Sequence, residues 1–218
     1  MLLCSVPRMQ NSLLRSHELV ALVVQYFDPF HFDFGINNLT GYIGGGFDFS
    51  DGSSQIKALS SELSLARSLL KLPNQQTPLP LGIGFITSRP TNFVGGVIPM
   101  LSEHRPAAVW LFAPPNRACH AEIIPALKSA GRAWGLKVFV QIGSVKAARE
   151  AVQDGADVLV VQSTDAGGHQ WAQGASLMSL LPEVKDTLAH EFKDSHVQVI
   201  AAGGIVDGRG VAAALCLG

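Results

Sequence analysis

The sequence has 218 residues and a net charge of −1, with 47% hydrophobic and only 15% charged residues. This balance supports one sizeable domain with a large apolar core. It gives no electrostatic basis for binding nucleic acid or an anionic membrane surface. The 22 glycines and the low aromatic content, 7%, are typical of α/β proteins, in which glycines mark the turns between strands and helices.

The cysteines and the hydropathy pattern indicate the compartment. Cys4, Cys119 and Cys216 lie far apart, without the paired spacing of metal sites or disulfide frameworks. We therefore expect reduced thiols in a cytoplasmic protein and no metal centre. The chain has no run of 18 or more apolar residues, and residues 1–10 are a poor match to a signal peptide. Neither a membrane span nor secretion is predicted.

Six short apolar runs recur from about Thr40 onward. They are Tyr42–Ile43, Leu81–Ile86, Ala108–Phe112, Val138–Val140, Val158–Val161 and Val197–Ala201. Most are continuously apolar, which is the pattern of strands buried on both faces. Helical patterns lie between them, so repeated βα units and a parallel sheet are predicted.

Four helices are predicted from apolar spacing and capping residues. The first carries Ile56, Leu59, Leu63, Ala66 and Leu70 on one face, and the second carries Ile123, Leu127, Ala130 and Trp134. The third begins after Ser144, carries Val145, Ala148 and Val152, and ends at Gly155. The fourth begins at Asp207 and carries Val211, Ala214 and Leu215.

A (β/α)8 barrel of TIM type is predicted in preference to an open doubly wound sheet. No Gly-x-Gly-x-x-Gly follows the first clear strand, whereas a glycine pair, Gly203-Gly204, follows the last one. Residues 1–39 do not fit the βα rhythm, although residues 19–26 read as a strand or a helical turn. Because a full barrel has roughly 250 residues, we expect residues 40–218 to form an incomplete barrel domain with atypical or missing terminal strands.

The chemistry is expected in the loops that follow the carboxyl ends of the strands, since parallel α/β folds place functional groups there. His169 is the one candidate acid/base residue at such a position, and Gly167 and Gly168 before it let the backbone approach a ligand closely. Asp165 is a supporting carboxylate that reads either as a base or as a cap of the loop.

Three other features are open to two interpretations. Gly203-Gly204 reads as a phosphate cradle or as a plain tight turn. Gln141 reads as a hydrogen-bonding partner for a heterocycle or as a polar strand end facing water. Arg209 is interpreted as an exposed first-turn helix residue in preference to a phosphate clamp. The sequence contains no metal-ligand cluster, Gly-x-Ser-x-Gly or P-loop motif.

Two of these segments together resemble the nitronate monooxygenases, formerly called 2-nitropropane dioxygenases, of the fungal type. They are residues 157–169, which end in Asp-Ala-Gly-Gly-His, and residues 199–205, which contain Ala-Gly-Gly-Ile. Residues 41–47, 81–86 and 138–141 resemble further segments of that family. The resemblance covers residues 40–218, and flavin-dependent enoyl-carrier-protein reductases share the pair of glycine motifs.

The resemblance implies a barrel that binds FMN and oxidises alkyl nitronates or nitroalkanes with O2. His169 corresponds to the family's catalytic histidine. The residues that correspond to flavin contacts are Gln141, Ala166, Gly167, Gly168, Gly203 and Gly204. No nucleic acid or membrane partner is implied, and a homo-oligomer is compatible with the resemblance.

The termini depart from the family pattern. Residues 1–38 have no counterpart of the family's first strand, which reads approximately Pro-Ile-Ile-x-Ala-Pro-Met, and the last strand with its second phosphate loop would follow Gly218. A family member truncated at both ends is therefore expected. Two alternative functions are an enoyl-thioester reductase that uses reduced nicotinamide and a non-catalytic remnant of the family.

Overall fold

The computed structural model describes residues 41–218, which form one six-stranded sheet with helices between the strands. The strands are β1 (Tyr42–Gly46), β2 (Leu79–Ile86), β3 (Pro106–Phe112), β4 (Lys137–Ile142), β5 (Val158–Gln162) and β6 (Gln198–Ala202). The helices are α1 (Ser54–Leu69), α2 (Phe93–His104), α3 (Arg117–Gly131), α4 (Val145–Asp154), α5 (Leu177–Glu191) and α6 (Gly208–Cys216), with a 3-10 turn at Arg132–Trp134.

The strand order confirms the barrel-type prediction. The strands lie in the order β1-β2-β3-β4-β5-β6, and every neighbouring pair is parallel. A doubly wound sheet would reverse its order at a switch point, whereas this sheet continues in one direction as a (β/α)8 barrel does. Within residues 41–218 the sheet is incomplete as a barrel, because β1 and β6 are its two edges and do not pair with each other.

Alternation along the strands divides the apolar residues between two faces. The outer face packs against the helices and forms the larger core, with fully buried Leu63, Ile83, Leu111, Leu127 and Leu159 among its members. A second cluster contains strand residues alone and lies on the face away from the helices. We call it the inner cluster; its members are Tyr42, Ala108, Phe139, Val158, Val160, Ile200 and Ala202.

Capping confirms the predicted ends of two helices. Ser144 accepts a hydrogen bond from the backbone N–H of Ala147, and Gly155 ends α4 in the left-handed region with φ of 97°. Asp207 accepts hydrogen bonds from the backbone N–H groups of Arg209 and Gly210 and begins α6.

The apolar faces of two helices differ from the prediction at one residue each. Leu70 is exposed because it is the C-cap of α1 and lies beyond the last helical residue. Leu215 is also exposed, since α6 packs only Val211 and Ala214 against the core. Helices α2 and α5 carry internal prolines, Pro99 and Pro182, and were not among the four helices predicted.

Candidate functional site

A cavity of about 940 Å³ lies at the carboxyl ends of the strands. It is bounded by residues from all six strands and by the loops that follow β1, β5 and β6. Its size is at the upper end of the range for small-molecule and cofactor sites, which is roughly 300–1,000 Å³. This is the end of a parallel barrel at which functional loops converge.

The deep side of the cavity is aromatic. Tyr42 and Trp110 line it and meet edge to face with ring centroids 5.3 Å apart, and Phe139 stacks under Trp110 at 6.1 Å. Gly82 makes room for this packing, because a Cβ there would lie 2.2 Å from the Tyr42 ring. The indole N–H of Trp110 donates to Oε1 of Gln141 at 3.0 Å. Gln141 therefore uses its carbonyl oxygen on Trp110 and keeps its NH2 group for another acceptor.

The glycine pair after β6 brings two loops together. Gly203 and Gly204 have φ of 98° and 72°, in the left-handed region that favours glycine. A Cβ on Gly203 would lie 2.7 Å from the Cβ of Ala166, and one on Gly204 would lie 2.8 Å from the Cβ of Asp165. The loop after β6 can therefore contact the loop after β5 only through bare backbone.

The loop that carries His169 is tied to the end of β5. The Nε2 group of Gln162 donates to the backbone carbonyl of His169 at 3.0 Å. Ser163 Oγ accepts from the backbone N–H of Asp165 at 3.1 Å, and the Gln170 side chain donates to the carbonyl of Ala166. His169 itself is exposed and lines the cavity. Its imidazole is therefore available to a ligand at the cavity mouth.

The structure brings the predicted site residues to one place. His169, Gln141, Ala166, Gly167, Gly203 and Gly204 all line the cavity. Gly168 does not; it has φ of 78° and serves the turn before His169. Asp165 also lines the cavity. The catalytic and cofactor-binding roles of these residues remain predictions.

The first turn of α6 is capped by a side chain of the protein, which limits where the predicted phosphate cradle can lie. The carboxylate of Asp207 accepts from the backbone N–H groups of Arg209 and Gly210 at 2.9 and 3.4 Å, so it occupies part of the first helical turn. The hydrogen bond from the Arg209 side chain makes the largest contribution to lowering the pKa of Asp207, and the two backbone hydrogen bonds lower it further. Arg209 is exposed and paired with Asp207, as its interpretation as a first-turn surface residue predicted. The first turn of α6 is therefore already occupied by the Asp207 carboxylate and is not free to hold an anion.

Sequence reasoning did not single out Gln162, although it lines the cavity and is buried. Its Oε1 atom has no hydrogen-bond partner within residues 41–218. The hydroxyl of Tyr42 is also buried without a partner, and burial raises the pKa of this phenol. Buried polar atoms normally have partners, so the Gln162 acceptor beside the cavity indicates a ligand that donates a hydrogen bond. A polar residue at the end of an otherwise apolar strand was the available signal.

Two classes of feature are absent from the described part of the chain. Residues 41–218 contain no group of three or more His, Cys, Asp or Glu side chains arranged to hold a metal ion. None of the helices in this range combines the length and the apolarity needed to cross a bilayer. The polar side chains that line the cavity are glutamine amides, the Tyr42 phenol, the Trp110 indole, the His169 imidazole and carboxylates.

Comparison with known proteins finds nitronate monooxygenases among the relatives in sequence and FabK among the relatives in fold. A protein of Neurospora crassa named nitronate monooxygenase is 48% identical over 193 residues, which cover 82% of this chain and 50% of that protein. Nitronate monooxygenase npaC of Metarhizium robertsii is 44% identical over 64% of this chain and 38% of its own length. The structure of FabK from Thermotoga maritima superposes with a TM-score of 0.58 at 26% identity, over 82% of this chain and 47% of that one.

The region that matches the family model includes the loops after β5 and β6, which line the cavity. The chain spans half or less of the length of the two nitronate monooxygenases just described. A model of the nitronate monooxygenase family matches residues 91–218, which is more than half of the chain and contains Gln141, Gln162, His169 and Gly203-Gly204. The chain therefore belongs to the nitronate monooxygenase family.

Proposed function

We propose that this protein is an FMN-dependent oxidoreductase that oxidises alkyl nitronates or nitroalkanes with O2. One observation carries the proposal: the histidine, the two glutamines and the glycine pair, distant in sequence, line a single cavity at the carboxyl ends of the strands. Membership of the nitronate monooxygenase family supports the reaction class.

The residues present fit a flavin. Gln162 offers a buried acceptor without a partner, which suits an N–H group of the flavin ring, and the NH2 group of Gln141 suits a ring carbonyl or nitrogen. Gly203 and Gly204 carry no side chain of their own and line the cavity, so their backbone suits close approach of a phosphate. When bound, flavin supplies the redox chemistry that the amides, imidazole and carboxylates of the cavity lack.

His169 would act on the substrate. Its exposed ring at the cavity mouth is positioned to accept the proton of a neutral nitroalkane, or to donate a hydrogen bond to the anionic nitro group of a nitronate. The walls near it are largely apolar, with Phe47, Ile86 and Phe112 among them, and they suit an alkyl chain. The chain's own residues would thus bind, orient and deprotonate the substrate.

The first experiment is a fluorescence titration of the 218-residue protein with FMN. We expect saturable quenching of flavin emission at micromolar FMN. Gly203→Val should abolish it, because a Cβ at this position meets the loop of Ala166 at 2.7 Å. Gly135→Val is the matched control, since Gly135 also has positive φ but does not line the cavity. Circular dichroism verifies that both variants fold.

A millimolar Kd corresponds to a binding free energy of only ~4 kcal/mol. The absence of binding up to about millimolar FMN therefore contradicts the proposal and favours the non-catalytic remnant. If FMN binds, nitronate-dependent O2 uptake is measured next. His169→Ala should lower the rate by about 10²–10⁴-fold, as expected for loss of an acid/base group. His196→Ala, an exposed histidine outside the cavity, is the control. Consumption of NADH with a crotonyl thioester, without O2 uptake on nitronates, would instead identify the enoyl-thioester reductase.

A further inference from the structure

Trp171 lies two residues after His169 but outside the large cavity. Its ring covers the end of β4 at Gly143, where a Cβ would lie 2.3 Å from Cδ1 of the indole. On its other side it meets the ring of Phe112 edge to face, with centroids 5.4 Å apart. Phe112 is the last residue of β3 and lines the large cavity. Trp171 therefore packs the His169 loop onto the ends of two neighbouring strands.

The loop has few other means of holding its position. Between the end of β5 and the beginning of α5, residues 163–176 form neither helix nor strand. Gln162 holds the backbone of His169, and the N–H of Thr164 donates to the carbonyl of Ala175 at 3.1 Å. These bonds tie the loop to itself and to β5, and the N–H of Ser163 donates to the carbonyl of Ala202 at 2.9 Å, which ties the beginning of the loop to β6. The Trp171 ring is the large apolar contact that joins it to β3 and β4.

The contribution of Trp171 is the shape of its ring and not a hydrogen bond. Its indole N–H is buried and has no partner within the described residues. Trp171 lines a second, smaller cavity of about 180 Å³, which His120 also lines. A residue retained for hydrogen bonding would have its donor satisfied, since an unpaired buried donor costs free energy.

We propose that Trp171 is a positioning residue that holds the His169 loop, and the wall residue Phe112, in the arrangement required for catalysis. This proposal rests on the proposed function, because it assigns Trp171 a role through His169. A displacement of about 1 Å in a catalytic group lowers rates by as much as about 10²-fold. Gly143 is part of the same contact, because only a glycine leaves room for the ring.

The test compares three variants in the full 218-residue protein. Trp171→Ala should lower kcat for a nitronate by about tenfold or more while KM changes less than about twofold, because chemistry and not binding loses its geometry. Trp171→Phe keeps a ring between Gly143 and Phe112 and should stay within about twofold of wild type. Trp134→Ala removes an equally large ring that donates to the carbonyl of Pro106 at the opposite end of the sheet, and it should leave kcat unchanged.

Hydrogen–deuterium exchange provides a readout independent of flavin and activity. Residues 163–176 should exchange faster in Trp171→Ala but not in Trp171→Phe or Trp134→Ala. Gly143→Ala should reproduce the effect of Trp171→Ala, and the double variant should be no worse than either single one, as expected for one shared contact. Equal exchange in Trp171→Ala and Trp134→Ala, or loss of kcat in Trp171→Phe, overturns the proposal. A wild-type protein inactive on nitronates would refute the proposed function, yet the exchange result would still decide whether Trp171 holds the loop.

Discussion

The two ends of the sheet use buried polar side chains in opposite ways. At the amino end, buried Arg67 donates to the backbone carbonyls of Asn74, Thr77 and His104 at 2.9, 2.8 and 2.5 Å. Asp157 accepts from the N–H of Val138 at 2.8 Å nearby. These bonds end on backbone groups. Although Arg67 Nε and His104 Nδ1 lack partners among residues 41–218, neither residue lines the two cavities described above.

At the carboxyl end the residues with unpartnered polar atoms line cavities. Within residues 41–218, Oε1 of Gln162, which lines the large cavity, and the indole N–H of Trp171, which lines the small one, have no hydrogen-bond partner. At the amino end the polar side chains hydrogen-bond backbone groups of the protein, whereas at the carboxyl end Gln162 retains an acceptor without a partner among residues 41–218. Three substitutions test this difference between the two ends of the sheet.

The largest effect is expected at the amino end. Arg67→Met removes three hydrogen bonds to backbone carbonyls, one of them buried, so it should lower the free energy of unfolding by about 4 kcal/mol. FMN affinity of the folded protein should not change, because Arg67 does not line the large cavity. Urea denaturation and flavin titration measure the two quantities, with Arg132→Met, an exposed arginine, as the control. A marked loss of FMN affinity in folded Arg67→Met would refute the division between the ends.

The second prediction concerns pH and His120, which lies at the carboxyl end but on the helix side of the sheet. Thr87 Oγ1 donates to the carbonyl of Phe112 at 2.9 Å, so it must accept from Nε2 of His120, also at 2.9 Å. Burial, assisted by Arg117, lowers the pKa of His120 to about 4. The unfolded chain, with a histidine pKa of about 6.5, therefore binds a proton in this window that the folded protein does not.

Stability should consequently fall as pH drops from 6.5 towards 4 and should be insensitive to His120 above 6.5. By pH 4 the loss should be about 3 kcal/mol greater in wild type than in His120→Gln, whose amide still has a donor for Thr87. Burial also lowers the pKa of His104, but both proteins contain it, so its contribution cancels in the difference. Urea denaturation across this range measures the effect. Parallel pH profiles for the two proteins would show that His120 is not held neutral.

The smallest effect is expected at Gln162. Gln162→Met removes the unpartnered Oε1 and the hydrogen bond to the His169 carbonyl together, so the two changes in stability should nearly offset each other. FMN affinity should instead fall by about tenfold, or ~1.4 kcal/mol. The control is Gln153→Met, on an exposed position of α4. A loss of stability as large as that of Arg67→Met, with unchanged FMN affinity, would make Gln162 a structural residue like those of the amino end.

The pattern of apolar residues predicted the strands more completely than the helices. All six strands were predicted, because their continuous apolar runs have few other interpretations. Helices α2 and α5 were not named: Gly95, Gly96 and Pro99 weaken the helical pattern of α2, whereas α5 was missed although Leu177, Leu180, Leu181 and Val184 recur at helical spacing. The exposure of Leu70 and Leu215 depends on where a helix ends and on what packs against it, and spacing reports neither.

The parallel βα architecture, the family and the placement of His169, Gln141 and Gly203-Gly204 at the carboxyl ends of the strands could be predicted from the chain alone, since apolar runs and glycine motifs are local in it. The folded arrangement was needed to see that Gln162 retains an acceptor without a partner among residues 41–218, that Asp207 fills the first turn of α6, and that Trp171 packs against Gly143 and Phe112. Each of these depends on a neighbour from another element or on its absence. Such contacts are decided when strands and loops pack together, and no spacing along the chain records them.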